Sequence, residues 1–513
     1  MSVAGLVFKI TLLFWLALVM FPAVPYYFSN GVDGSWYYGV NIAHAKHLIF
    51  GKDIVFTMGP LSYLTAPVPG YAEQGAVLVF VLATYFVALY GLSRCFRALG
   101  VDGTLAAGPV TAVLVLYSQH YPDKWEGSCL PLFLSIAARS RKSMVDFAIA
   151  GVLSGVTLLI KFSDGLLLCG LYFCLVAFTY FDQKVAGRAR LMYPALLLVP
   201  LVTIQVGVQV LQHDFWSSVA YLRNSYAVAA GFSEAMSVAG PLWQLALAIL
   251  TIVFMFSLAG LATGRSRKLL QGAIMAALMI MAVCSSVQDQ RTYGLFAVTR
   301  ALLAAAITAE SHDWLGDIAE ARWTLKRFSN DVGSMIHFDR AWEARRVYLQ
   351  SELVPLRLSP QFQEAVRENQ SIDIFSNDIE LLVANGWAGN FNPRPVFQSY
   401  AAYTPQLDGL NAAHLAGAQA PDLVLVKFGS IDGKHPFVED PASWRTLLDR
   451  YDIRTGDAAT LLLGRRNAPR WMKPELIAES TVTLGADLAI PESAPHEVVV
   501  VRADIQHSSW GDL

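Results

Sequence analysis

The amino-acid sequence predicts a polytopic α-helical membrane protein of about nine or ten transmembrane helices, followed by a C-terminal soluble α/β domain ending in a β-rich segment. Three observations carry that prediction. Only 15% of the 513 residues are charged and 55% are hydrophobic, whereas soluble domains carry about 25% charged residues. Mean hydropathy is +0.43. Apolar runs long enough to cross about 30 Å of hydrocarbon recur through the first 310 residues and then stop.

The runs lie near 5–27, 76–98, 104–118, 127–139, 145–161, 165–181, 191–210, 240–261 and 268–285. A tenth, 294–309, is weakened by Arg300. The first is too long for a signal-peptide core and is followed by no clear small-x-small cleavage site. The formal charge of −2 gives no support to a nucleic-acid partner, which shows as a basic excess. The five cysteines match no zinc or haem spacing and read as small hydrophobes.

Basic residues set the orientation. Arg94 and Arg97, Arg139, Arg141 and Lys142, Lys184, Arg188 and Arg190, and Arg265, Arg267 and Lys268 fall in one set of loops. The alternate loops hold Lys46, Lys52, Lys124, Lys161, Arg223 and Arg291 over many more residues. The positive-inside rule places the denser set in the cytoplasm, so the long loop 28–75 faces outward. The transmembrane domain is 1–310 and the soluble domain 311–513, read as cut short where the chain stops at "SSWGDL". With nine spans the soluble domain lies outside, with ten inside; outside is the favoured side.

Within 311–513, "WLGDIAEARWTLKRF" and "DRAWEARRVYLQSEL" show helical apolar spacing. "IDIF", "DLVLVKF" and "TLLLG" read as strands, with "DIELLVANG" and "PASWRTLLDRY" as helices between them. "STVTLGADLAI" and "HEVVVVRADI" supply the β-rich end. No phosphate-cradling glycine loop of either nucleotide-binding kind is present. "SNDIE" and "FVEDP" are poor substitutes for the metal site of a nucleotide-sugar enzyme. Arg394, Tyr400 and Tyr403 read either as a contact surface or as a packed turn.

The loop 28–75 is far longer than a connection needs and too aromatic to be disordered. It opens with "NGVDGSWYYGV", where Asp33 stands between two glycines. Trp36, Val40, Ala43 and then His47 or Leu48 follow helical spacing, which predicts an amphipathic helix in the membrane interface. Asp33 or Ser35 serves either as that helix's N-cap or, in the case of Asp33, as a general base at the membrane surface. Lys161, at the end of an apolar run, is costly in hydrocarbon unless it reaches the interface. It either snorkels to headgroups or holds a phosphate. "HYPDKWEG" puts Asp123, Lys124, Trp125 and Glu126 in one short outer loop.

A first span, then a long outer loop opening on an acid and running into interfacial helices, resembles the GT-C superfamily of membrane glycosyltransferases. Protein O-mannosyltransferases and lipid A aminoarabinose transferases belong to it. "GVLSGVTLLIKFSDGLLLCG", 151–170, is similar to their paired-span segment with a basic residue at the outward break. The resemblance covers roughly 1–285. It implies inverting transfer of a hexosyl or pentosyl group from a polyprenyl-phosphate donor to a glycan, lipid or protein acceptor outside the membrane. The setting it implies is a bacterial inner membrane and cell-envelope polysaccharide biosynthesis.

On this resemblance Asp33 is the catalytic base. Lys161 holds the donor phosphate, with Lys52, Lys124, Arg223 and Arg291 in reserve. Trp36, Tyr37, Trp125 and Glu126 contact sugar. Many of these enzymes carry two adjacent acids in the first loop; here Asp33 is followed by Gly34, and the next acid of the loop is Asp53. That departure leaves a divalent cation open, and no metal ligand or cofactor is assigned. The alternative function is a transporter or flippase of a lipid-linked saccharide. Such proteins commonly show internal repeats and charged or broken helices near the midplane; neither repeats nor midplane charges are evident in this sequence.

Overall fold

The computed structural model describes residues 2–24, 31–98, 143–181, 188–235, 321–375, 377–429, 435–471 and most of 475–501, with Thr104, Trp125, Cys129, Leu132 and Ile136. Met1–Ala468 form one compact unit and Pro469–Leu513 a second. The expected spans 240–261, 268–285 and 294–309 lie outside the described residues, as do 105–118 and most of 127–139.

The first unit opens with α1 (Val3–Val19), α2 (Val32–Ala45), α3 (Ser62–Thr65) and α4 (Gln74–Ala98). It continues with α5 (Met144–Ile160), α6 (Phe162–Phe181), α7 (Arg188–Leu196), α8 (Leu198–Gln212) and α9 (Ser217–Ala235). Gln74–Ala98, Phe162–Phe181 and Met192–Gln212 are long and apolar enough to cross a membrane. Helices α1 and α5 are apolar but shorter. Ser143 caps α5, its Oγ accepting from the Asp146 N–H at 3.3 Å. Helices α5 and α8 approach closely because α5 presents Gly151 and Gly155, four residues apart. A Cβ on Gly151 would press on Val199 and the Tyr172 hydroxyl, and one on Gly155 on Thr203. Small residues at that spacing let helix backbones approach in a membrane.

Helices α5 and α6 are separated by a break at Lys161, whose backbone is extended (φ −144°, ψ 117°). There the first loop joins the bundle. The Gly59 N–H donates to Ile160 O at 2.8 Å, the Leu61 N–H to Leu159 O at 2.9 Å and the Phe162 N–H to Thr57 O at 2.8 Å. The break thus satisfies its backbone groups against the loop, as non-helical backbone in a bundle must. At the other end of α5, Arg94 pairs with Asp146 at 2.7 Å.

After α10 (Ala321–Ile336), α11 (Phe338–Leu353) and α12 (Pro360–Ala365) comes the α/β part. It comprises β1 (Ile372–Phe375), α13 (Glu380–Ala384), α14 (Pro405–Ala416), β2 (Leu423–Lys427), α15 (Pro441–Arg450), β3 (Tyr451–Gly456) and β4 (Thr460–Arg465). The sheet order is β1-β2-β4-β3. β1 and β2 run parallel, Ile372 opposite Leu423, and the other pairs are antiparallel. Leu423–Val426 are buried on both faces, as a covered parallel strand requires.

Two expectations are corrected. First, the described residues of 475–501 form no strand and almost all are exposed. Alternating Val and Leu alone give a strand no partner for its backbone, and the sheet instead ends in the β3–β4 hairpin. Second, α2 does not lie on a membrane interface. Residues 34–43 are all buried, because α2 packs against α3 and Phe56 of the loop and against α13 and Phe397 of the α/β part. One continuous core runs through Leu158, Leu159, Phe162 and Tyr221, then Trp36, Tyr37 and Phe56, then Ile372, Ile379 and Phe397. Gly39 makes this possible, since a Cβ there would collide with the Phe397 ring and with Ile379.

Candidate functional site

The site is built around α2, whose start is set by glycine rather than by a polar cap. Gly31 is its N-cap with φ +127°, a conformation open to glycine, and no side chain caps the helix. Asp33 is the second residue of α2; its side chain is outside the described set. Ser35 does not cap α2 either. Its hydroxyl is fully buried, donates to Asn377 O and accepts from the Ile379 N–H. The "SNDIE" stretch dismissed as a metal site therefore serves as the dock for the first turn of α2. Its Glu380 accepts from the Gly31 N–H at 3.1 Å.

Asn41, fully buried, ties α2 to the loop: its Nδ2 donates to Ala66 O at 2.7 Å and its Oδ1 accepts from the Val68 N–H at 2.9 Å. The loop also crosses to the α/β part. The Val55 N–H donates to Pro395 O at 2.7 Å, and Lys46 Nζ donates to Phe391 O at 2.6 Å and Gly389 O at 3.0 Å. Lys46, read only as an outward charge, closes the carbonyl end of a short turn.

Around the first turns of α2 the chain collects ionisable groups that the sequence analysis did not single out. Burial pushes the Tyr38 hydroxyl up, helped by Tyr71, Glu380 and Glu352 and opposed by Arg345. Burial likewise raises the Glu380 carboxyl, against the Gly31 N–H, which favours the anion. These groups come from α2, the loop, α11 and α13. Nothing local to any one of them marks the cluster.

The proposed phosphate holders divide. Lys161 sits at the α5–α6 break, 12% exposed at its side chain, 3.3 Å from Asp164. Asp164, 4% exposed, was visible in sequence as an acid three residues on in an apolar run. Lys52 is engaged elsewhere, 2.5 Å from Asp214; Lys52 in turn holds the Asp214 carboxyl below its usual range. Arg223 is exposed on α9. Lys124, Glu126 and Arg291 lie outside the described residues.

Of the sugar-contacting aromatics, Trp36 and Tyr37 are buried at 7% and 4% exposure, their ring centroids 4.0 Å apart. Trp125 is buried against Phe80, 5.7 Å between centroids, in a separate cluster with Phe147 and Tyr172. Asp53 closes a turn, accepting from the Ile49 N–H at 2.9 Å. Among the described residues no group of three or more His, Cys, Asp or Glu could hold a metal ion.

An apolar groove of about 480 Å³ lies between α5 and α8, lined by Leu61, Val156, Leu159, Val206, Gly207 and Val210 among others. Leu61 and Leu159 belong to the backbone pairing that carries Lys161.

Arg394 is not a contact surface. It is wholly buried, pairing with Asp373 at 3.1 Å and Asp440 at 3.4 Å and donating to Ile374 O at 2.6 Å. Tyr403, in contrast, meets the end of α9, its ring 5.6 Å from Phe232.

No protein-family model matches the chain, and no curated protein matches it. Among solved structures it is similar to ArnT from Cupriavidus metallidurans in the apo state. Sequence identity is 12%, 89% of this chain and 97% of that chain are covered, and the TM-score is 0.35. It is also similar to the same protein bound to undecaprenyl phosphate, with 13% identity, 91% and 99% coverage and a TM-score of 0.34.

Proposed function

We propose that this chain is a GT-C-like membrane glycosyltransferase that moves a sugar from a polyprenyl-phosphate donor to an acceptor at the outer face of the inner membrane. The observation that carries it is the apolar groove between α5 and α8, whose lining includes Leu159, two residues before Lys161 in the chain. A lipid phosphate needs an apolar channel for its chain and a cation for its head, and the groove and Lys161 are the groups that supply them in this reading. Lys161 holds the donor phosphate and stabilises its charge as the glycosyl bond breaks. Asp33 takes the proton from the attacking acceptor hydroxyl, with inversion at the sugar carbon. Residues 1–310 form the membrane part, and 311–513 share the outer side with the loop 28–75. The contacts of α2 with Asn377, Ile379 and Glu380 support that last assignment.

Native mass spectrometry of the purified protein, wild type and Asp33→Asn, tests the reading. A glycosylated polyprenyl phosphate enriched on the variant is the expected result, since the donor binds and is not consumed. Bulk phospholipid alone on both proteins overturns it and leaves the transport of a lipid-linked saccharide as the reading to assay.

A further inference from the structure

The α5–α6 break sets an acid against the lysine that the transferase reading uses. Lys161 Nζ lies 3.3 Å from Asp164 Oδ2, and the two side chains are 12% and 6% exposed. The backbone on both sides is fixed. Met58 pairs with Lys161 in an antiparallel bridge. A Cβ on Gly165 would collide with the Leu158 backbone, so the first turn of α6 is pressed onto the last turn of α5. The side-chain pairing is looser. Asp164 Oδ1 accepts from Ser163 Oγ at 3.2 Å. Its Oδ2 is buried with no hydrogen-bond donor, so the contact with Lys161 is one of charge alone.

A buried ion pair repays its desolvation only with good geometry and with its remaining polar atoms satisfied. This pair has neither. A carboxylate in the first turn of a helix complements the helix dipole, but that does not require it to be buried beside a lysine. Ionisable groups kept at such cost among apolar helices mark function. The lysine stem is flexible, so on this fixed backbone its ammonium can turn from Asp164 to another anion. In the transfer, the electron pair of the bond between sugar carbon and phosphate oxygen stays on that oxygen. The acceptor oxygen forms the new bond to the sugar carbon, and its proton goes to Asp33. The polyprenyl phosphate left behind carries one more negative charge than the phosphodiester did, so an ammonium holds product more tightly than donor.

We propose that Asp164 is a positioning residue that acts through Lys161 and competes with the lipid phosphate for it. It holds the ammonium between turnovers, yields it to the donor and takes it back as the spent polyprenyl phosphate leaves. This rests on the transferase reading. Removing the carboxylate should then tighten the lipid, the reverse of what loss of a merely structural group does.

The test titrates the full-length protein in detergent with undecaprenyl phosphate and reads the bound fraction by native mass spectrometry. Wild type and Asp164→Asn are compared, each also in a Lys161→Gln background. Asp164→Asn is expected to bind about tenfold tighter than wild type, since a like charge beside a binding site is costly. In the Lys161→Gln background that gain should vanish. Unchanged or weaker binding by Asp164→Asn, or the same gain without Lys161, sinks the Asp164 assignment and leaves the transferase reading standing. Absence of binding by both wild type and Asp164→Asn sinks both. Should Asp164→Asn fail to fold, Asp164→Ser is read instead, with the same gain expected. Failure of both variants to fold would make the carboxylate structural and overturn the proposal.

Discussion

Glu380 holds its proton more tightly in the folded chain than the ordinary glutamate value of 4.5 implies, because burial penalises the anion. The folded state therefore binds more protons at this position than the unfolded one, and the stability it contributes falls as pH rises above that value. Glu380→Gln removes the titration. The melting temperature of the variant is expected to gain on wild type as pH rises above 4.5. A difference that stays flat, or moves in favour of wild type, contradicts the reading of Glu380 as a carboxyl whose proton is held by burial. Asp33 and Lys161 were legible in the sequence because a charge stands out against an apolar background. Glu380 was not, because an acid in a polar stretch has no such contrast. Its meaning comes only from a contact with Gly31, far off in the chain. Ser35 was read as a cap for the same reason: spacing along α2 says nothing about a turn arriving from another part of the chain.

Among elements, the strands β1, β2 and β4 and the helices α10, α11 and α15 follow patterns that the sequence displays. The edge strand β3 was missed. Asp452, Ile453 and Arg454 are exposed, so it lacks the alternation that identifies a half-buried strand. Its place is fixed by the hairpin with β4, Ile453 opposite Leu463. What binds the ends of β1, α14 and α15 together is the Arg394 network, which also takes in Asn411 Nδ2 donating to Asp440 at 2.8 Å and Ser443 Oγ donating to Asp440. Two carboxylates face one guanidinium, and burial raises the Asp440 carboxyl well above its usual range despite Arg394. Asp440→Asn leaves one carbonyl oxygen to meet donors from Arg394, Asn411 and Ser443 and should cost about 1–3 kcal/mol. Arg394→Met leaves both acids without their cation and should cost about 3–5 kcal/mol. Urea unfolding of the two variants, followed by tryptophan fluorescence, measures the difference. Equal losses would show that the guanidinium is not the centre of the network.

At the scale of the whole molecule, the contacts between the loop 31–73 and residues 377–397 require both to lie on one side of the membrane. An even number of crossings is then expected to separate them, as in the nine-span arrangement. Ala45→Cys and Glu368→Cys, both at exposed positions, are expected to react with a membrane-impermeant maleimide from the same side of intact cells. Labelling from opposite sides would refute the arrangement. Sequence favoured the outer side without fixing it, because positive-inside counting weighs loops one at a time and the tenth run was ambiguous. The shared core also governs the order in which the chain can be made. The groups that cover Trp36, Gly39 and Phe56 include Ile379 and Phe397, which leave the ribosome more than three hundred residues later. Until then the loop that begins the molecule waits with its aromatic face uncovered, a long-range closure of the kind that slows folding and exposes intermediates to aggregation. A chain terminated before residue 372 would be inserted in the bilayer and still lack a folded first loop, so the quality control of this protein must act on its beginning only after its end has been synthesised.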